Sequence, residues 1–381
     1  MRSMNEFYFY TEGLAVGYHG VPLIKNIEIR VRRGEILTLI GPNGAGKTTI
    51  LRSIIQQLQP LDGRVYLDGG EVSKLTGNQL ARRLSVVLTE RVRPELMSCE
   101  DVVATGRYPY TGKFGILSED DRRIVKESME LIHISELADR SFTQISDGQK
   151  QRVMLARAIC QEPEIIVLDE PTSFLDIRYK LEFLSILQSM ARKKNLSVIM
   201  SLHELDLAER ISDQIVCVKG DHVDRFGPPE EIFTPGYIRQ LYQMTAGTYE
   251  ERTGDVELEA ICGEPQVFVI AGNGSGTPVF RRLQREGIPF AAGILWENDL
   301  DFPAAKALAA ELISVEAFRP MGSCETEQAK QVMERCGRVI CALPVAELKS
   351  LVGGPGQPLL ELYRYAMDRG WIKDTNDKNN D

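Results

Sequence analysis

The chain has 381 residues, 43% hydrophobic and 26% charged, which is globular composition and more chain than one domain of about 100 to 200 residues holds, so two domains are expected. A formal net charge of −9 excludes attraction to nucleic acid or anionic lipid by bulk electrostatics, so any membrane contact is expected to run through a protein partner. The start "MRSMNEFYFYTEG" lacks an export-signal pattern, no apolar run approaches the roughly 18 residues of a membrane span, and the cysteines (Cys99, Cys160, Cys217, Cys262, Cys324, Cys336, Cys341) are scattered without C-x-x-C, which together fit a soluble chain in a reducing cytoplasm.

From about Tyr8 to Met244, β-rich runs ("EILTLI", "EIIVLDE", "LSVIMSLH", "QIVCVKG") alternate with helical stretches, the pattern of an α/β domain with a mainly parallel sheet. In "GEILTLIGPNGAGKTTILRSIIQQL" a β-rich run ends at Ile40, a glycine loop follows, and Ile50, Leu51, Ile54, Ile55 and Leu58 fall at helical spacing. Gly41, Pro42, Asn43, Gly44, Ala45, Gly46, Lys47 and Thr48 match G-x-x-x-x-G-K-[ST] in its strand-loop-helix setting, with Thr49 next on the helix. Glycines let backbone amides approach a polyphosphate and the helix N-terminus adds a favourable dipole. Lys47 is expected to reach the β and γ phosphates, and the Thr48 hydroxyl to ligate Mg²⁺.

Further along, "ISDGQKQRVMLARAI" holds a Ser-Asp-Gly-Gln turn opening an amphipathic helix, with a hydroxyl, free amides and a positive dipole end suited to a γ-phosphate; Ser146 also reads as a helix cap. "EIIVLDE" ends in Asp169, suited to the outer shell of Mg²⁺, and Glu170, suited to orient or deprotonate water; taken alone, paired acids there could simply cap the next element. His203, ending "LSVIMSLH", either serves structure or meets the γ-phosphate at a strand end.

The phosphate loop, "ISDGQ", "VLDEP", "SFLD" and "LH", in that order, resemble the ATP-binding subunit of an ABC transporter over about residues 8 to 244. The resemblance implies a phosphate-loop ATPase domain with a helical subdomain, binding ATP and Mg²⁺. It implies that Ser146, Gly148 and Gln149 close over ATP held by a second copy, so that a homodimer buries two ATP molecules. Tyr18 is similar to the family's adenine-stacking aromatic, though a tyrosine there also reads as core or surface, and Ser173 and Asp176 resemble the loop linking the two ATP sites. Asp147 stands where the signature usually has glycine. Thr89, in "LSVVLTER", stands where a glutamine usually touches Mg²⁺, from which weak basal turnover is expected. "VVATGRYPY" resembles importers of iron-siderophores, haem and cobalamin, implying a multi-span permease, an extracytoplasmic binding protein and a place on the inner face of the cell membrane. A soluble ABC ATPase acting on nucleic acid or ribosomes, and an exporter subunit, are the rival readings.

The expected boundaries are 1–245 for the ATPase domain, 246–265 for a polar linker, 266–372 for a small Rossmann-like α/β domain and 373–381 for a disordered tail. In "VFVIAGNGSGTPVFRRL", Gly272, Gly274 and Gly276 give G-x-G-x-G, but Thr277 takes the place of the last glycine of a dinucleotide fingerprint. Glu297 or Asp299 falls where a ribose-binding acid would sit, while tight helix-strand packing explains the glycines equally well, and regulation or subunit contact is the favoured role by analogy.

Overall fold

The structure, a computed structural model, describes residues 6–88, 96–112, 115–251 and 253–372. The chain divides into two compact units, Met1–Tyr242 and Gln243–Asp381. Among the described residues no helix is long and apolar enough to cross a membrane.

The first unit is built on a six-stranded sheet in the order His222–Gly227, Gln214–Lys219, Ile36–Ile40, Ser197–Ser201, Ile165–Asp169, Leu84–Val87, parallel except for the first pair. The strands ILTLI, IIVLD and SVIMS are buried at every position, as expected of a parallel sheet covered on both faces. An antiparallel sheet formed around Phe9–Tyr18 shares its core: Phe9, Leu14 and Ile24 pack with Leu37, Leu39, Val167 and with Ile50 and Ile54 of the helix Lys47–Ile54. That helix is therefore clamped between the two sheets, which fixes the loop that opens it.

Helices Cys99–Ala104, Glu119–Leu131 and Asp147–Cys160 pack on one another as a helical subdomain. Each starts with a serine capping box, Ser98 with Asp101, Ser118 with Asp121 and Ser146 with Gln149, which satisfies amides that the helix leaves without partners. The "GRYP" stretch lies partly inside this packing. A Cβ on Gly106 would stand 2.3 Å from the Arg157 carbonyl oxygen, so only glycine lets the segment approach the signature helix. Arg107, 4% exposed, donates to Asp121 at 2.8 Å, to the Cys160 carbonyl at 2.9 Å and to Glu162 at 2.8 Å, and lies over the Tyr110 ring. Tyr108 is the exposed member of the stretch.

The second unit has a four-stranded parallel sheet in the order Glu311–Val315, Phe290–Trp296, Val267–Ile270, Val339–Cys341. One face packs Val267, Val269 and Phe290 against Phe280, Leu283 and Leu308; the other packs Phe268 and Ile270 against Val332, Leu359 and Leu362. Helices thus cover both faces, a small doubly wound α/β arrangement. The segment 246–265, expected as a linker, contains a hairpin of Thr248–Glu250 and Asp255–Glu257, and the nearly buried Glu257 accepts from Arg281 Nε at 2.9 Å. That ion pair ties the hairpin to the second unit's first helix. The expected tail, 373–381, lies outside the described residues.

Candidate active site

Three strand ends are level, because Leu39 pairs with Ser201 and Ser201 with Asp169. The loop that follows Ile40 runs from Gly41 through Pro42, Asn43, Gly44, Ala45 and Gly46 into the helix Lys47–Ile54. Gly41 has φ 145° and a Cβ there would stand 2.2 Å from the Val218 carbonyl oxygen, so this position requires glycine. The Lys47 ammonium donates to the carbonyls of Gly41 at 2.7 Å and Pro42 at 3.1 Å. Burial pushes its pKa below the ordinary lysine value, opposed by the carboxylates of Glu170 and Asp169.

Beside the lysine, the Thr48 hydroxyl donates to Asp169 Oδ2 at 2.9 Å. Asp169 is held in turn by the Ser201 hydroxyl at 2.7 Å, and the Glu170 amide donates to that same hydroxyl at 2.9 Å. Glu170 itself has φ 49°, a left-handed conformation that costs a non-glycine residue about 1 to 3 kcal/mol and persists where the surroundings enforce it. Its carboxylate meets His203 Nε2 at 2.6 Å and the Ser173 hydroxyl at 3.3 Å. Structure therefore brings together Lys47, Thr48, Asp169, Glu170, His203 and Ser173, drawn from three separated stretches of chain.

The oxygen donors of Thr48 and Asp169, adjacent at the start of the phosphate-loop helix, suit a hard ion such as Mg²⁺. Among the described residues no cluster of three His, Cys, Asp or Glu side chains could hold a metal alone, so phosphate oxygens and water would complete the ion's shell. Thr89, the third expected metal contact, lies outside the described residues. The Tyr18 hydroxyl is 3.3 Å from that of Thr49 and its ring is 45% exposed, which leaves a face beside the loop for a base.

Ser146 and Gln149 bond each other in the capping box, with the Gln149 amide donating to Ser146 Oγ at 3.3 Å. Asp147 is drawn to Lys150 at 3.0 Å. A Cβ on Gly148 would meet the Phe174 carbonyl oxygen at 3.1 Å, so the signature turn rests against the Ser173–Asp176 loop, whose Asp176 caps the helix Ile177–Lys194. Phe174, Ile177 and Leu181 beside it are exposed.

Two supporting residues escaped sequence reading. Tyr242 accepts a hydrogen bond from the Gly41 amide at 3.1 Å, and burial pushes its phenol up to about 12. It lies 201 positions away in a segment with no motif. Ser201, which orients Asp169, was signalled only by its place two residues before His203.

In the second unit, the glycine turn after Ile270 is closed by carboxylates. Asp301, fully buried, accepts from the amides of Gly276 at 2.8 Å and Thr277 at 2.7 Å, and Asp299 accepts from the Asn273 amide at 3.0 Å. Asp299 thus caps the turn, where a ribose-binding role had been one expectation. A Cβ on Gly276 would stand 2.5 Å from Ala271 Cβ, so that glycine is required by helix-strand packing.

A sequence model of the ABC transporter family matches residues 24–173, and one of the MJ0874 family matches residues 290–373. The ABC transporter ATP-binding protein MJ0873 of Methanocaldococcus jannaschii, itself uncharacterized, is 41% identical over 286 residues, 75% of this chain and 99% of that protein. The chain belongs to the ABC transporter ATP-binding proteins. This ABC ATPase is also 31% identical over 342 residues to the cobalamin import ATP-binding protein BtuD of Halobacterium salinarum, covering 88% of this chain and 85% of that one. Among solved structures it is similar to CbiO1 from Clostridium perfringens, part of an ABC transporter complex, with TM-score 0.53 and 26% identity over 62% of this chain and 94% of that one. The protein is an ATPase, with ATP and Mg²⁺ as its ligands.

Proposed function

We propose that this ABC ATPase powers a membrane importer of a metal-chelate nutrient, and that the nutrient is cobalamin. The observation that carries the reading is the extent of the halobacterial likeness. Its 342 aligned residues exceed the 242 of the first unit, so the likeness to a cobalamin import protein runs into the second unit as well. Iron-siderophores rank below it, because the relatives named for siderophore import align with only 61 to 62% of this chain, and haem rests on the "GRYP" stretch alone.

In the proposed cycle the loop amides and Lys47 hold the β and γ phosphates, and Tyr18 stacks on adenine. Thr48 and Asp169 would hold Mg²⁺, which would supply charge neutralisation to the polyphosphate. Glu170 orients and deprotonates the attacking water, and His203 holds that carboxylate at 2.6 Å. Ser146, Gly148 and Gln149 act on ATP bound by the second copy of a homodimer. The exposed Phe174, Ile177 and Leu181 support such a contact, because apolar side chains grouped at a surface favour burial against a partner. The dimer works on the inner face of the cell membrane beneath a multi-span permease fed by an extracytoplasmic binding protein.

The test is ATP turnover by the chain reconstituted with its permease in liposomes, with cobalamin, haem and ferric siderophores each presented on a binding protein. Stimulation by cobalamin is expected. Stimulation by a ferric siderophore alone overturns the substrate, and co-purifying RNA with no permease overturns import.

A further inference from the structure

The second unit carries a crevice that ATP hydrolysis does not use. Two adjoining cavities of about 420 and 310 Å³ share Asn273, Trp296 and Asp299. The smaller reaches between Gly272 and Leu343, just past the strands Val267–Ile270 and Val339–Cys341, where the strand order reverses. Open α/β sheets take ligands at that place, and these volumes are of small-molecule size.

Apolar groups surround the opening. Phe318 is 91% exposed and Leu300 72%, both lining the larger cavity with the half-buried Trp296. Phe318 also has φ 65°, an uncommon conformation for a bulky residue. Strained backbone and an aromatic ring left in water at the edge of a cavity are both costly unless the ring has work to do. Polar groups converge on the same space: among the described residues the side-chain amides of Asn273 and Asn298 make no hydrogen bond, and the Asp299 carboxylate faces the cavity wall beside them.

The turn above the crevice also says what the ligand lacks. Asn273-Gly274-Ser275-Gly276-Thr277 follows the spacing of Asn43-Gly44-Ala45-Gly46-Lys47 in the ATP site, with the same strand-loop-helix shape. Here the lysine is replaced by Thr277, whose hydroxyl donates to Asp301 at 2.8 Å, and the amides of Asn273, Gly276 and Thr277 already hold Asp299 and Asp301. A phosphate seated on the Gly276 and Thr277 amides would have to expel a fully buried carboxylate, and Arg319, the cation on the larger cavity's wall, already faces Glu325 at 3.9 Å. The space that remains suits a flat, uncharged ring against Trp296 and Phe318, bearing hydroxyl and amine groups toward the side-chain amides of Asn273 and Asn298.

We propose that this crevice is a binding site for an unphosphorylated nucleoside. The full-length Trp371→Phe chain leaves Trp296 as its one tryptophan, so its fluorescence reads the crevice directly. Titration with adenosine and guanosine is expected to give a saturable change. The Phe318→Ala variant, altered only at an exposed side chain, should bind at least about tenfold more weakly, as should AMP and NAD to the parent chain. The signal should survive Tyr18→Ala, which separates this site from the ATP site. A response to neither nucleoside overturns the proposal, as does AMP or NAD binding as tightly, or binding indifferent to Phe318→Ala.

Discussion

His203 Nε2 stands 2.6 Å from Glu170 Oε1, at the ends of two neighbouring strands of one parallel sheet. A carboxylate so held has one orientation to offer a water molecule. Glu170→Gln keeps the shape and removes proton acceptance. Turnover should fall by roughly 10² to 10⁴, the range for loss of a general base, while ATP-dependent dimers persist. Phosphate release together with gel filtration checks this; unchanged release without any ATP-dependent dimer would falsify the role. His203→Ala should lower kcat with a smaller effect on nucleotide binding.

Lys47 makes nucleotide affinity depend on pH. Burial lowers its pKa in the free chain, and a bound polyphosphate favours the charged ammonium and so raises it again. Affinity is therefore highest where the free chain already carries the proton, and falls as pH rises from the depressed value toward the ordinary one near 10.4. Stability runs the opposite way. The unfolded chain binds more protons in that window, so the folded state gains on raising the pH. Equilibrium binding of a non-hydrolysable ATP analogue between neutral and alkaline pH should show the decline; a flat profile removes Lys47 from phosphate binding.

Arg107 and Asp121 form an ion pair inside the helical subdomain, both under 10% exposed. Arg107→Ala leaves a buried carboxylate without its charged partner and should cost about 3 to 5 kcal/mol, lowering Tm by on the order of 10 °C. The Ser118 hydroxyl, and after it the Arg107 guanidinium, hold the Asp121 carboxyl below the usual range against the effect of burial. With a folded pKa below the unfolded one, this contribution is complete above about pH 4 and is lost as pH falls through the depressed value. Thermal unfolding from pH 7 to pH 3 should show that loss in the parent chain and a smaller one in Arg107→Ala.

By the sequence resemblance Thr89 stands where a glutamine usually touches Mg²⁺, and we propose that its shorter side chain holds turnover down. Thr89→Gln should raise basal ATP turnover several-fold and sharpen its Mg²⁺ dependence. No change in either quantity would show that the threonine limits nothing.

The ATP site was legible because its chemistry demands fixed spacings. Gly41 must be glycine against the Val218 carbonyl, and Thr48 must follow Lys47 for its hydroxyl to meet Asp169. Asp169 and Glu170 could be read at a strand end because the run before them is apolar throughout. The residues that sequence reading missed act across long separations with no periodicity of their own, as Tyr242 does on Gly41. The second glycine turn stayed ambiguous in the sequence for a related reason. Its pattern specifies a turn with free amides, while Asp301, which fills them 24 and 25 residues later, carries no local mark. The "GRYP" stretch likewise gave no sign that its arginine points inward, since burial of a charge depends on the partners Asp121 and Glu162 that the fold supplies.

Asp301 supplies the last prediction. Its carboxylate accepts from two amides and a hydroxyl in a fully buried setting, so Asp301→Ala strands all three donors. Hydrogen bonds to a charged group are worth about 1.5 to 3 kcal/mol each, and donors left unsatisfied in the interior add to the loss, so the second unit should be destabilised by about 3 kcal/mol or more. Both tryptophans of the chain, Trp296 and Trp371, lie in that unit, so intrinsic fluorescence follows its unfolding while ATP turnover follows the first. The fluorescence midpoint in urea should fall well below that of the parent, and turnover without denaturant should stay within about twofold. An unmoved midpoint would mean that water satisfies the Gly276 and Thr277 amides once the carboxylate is gone. The turn would then be open to anions, and the exclusion of phosphorylated ligands from the crevice would fail with it.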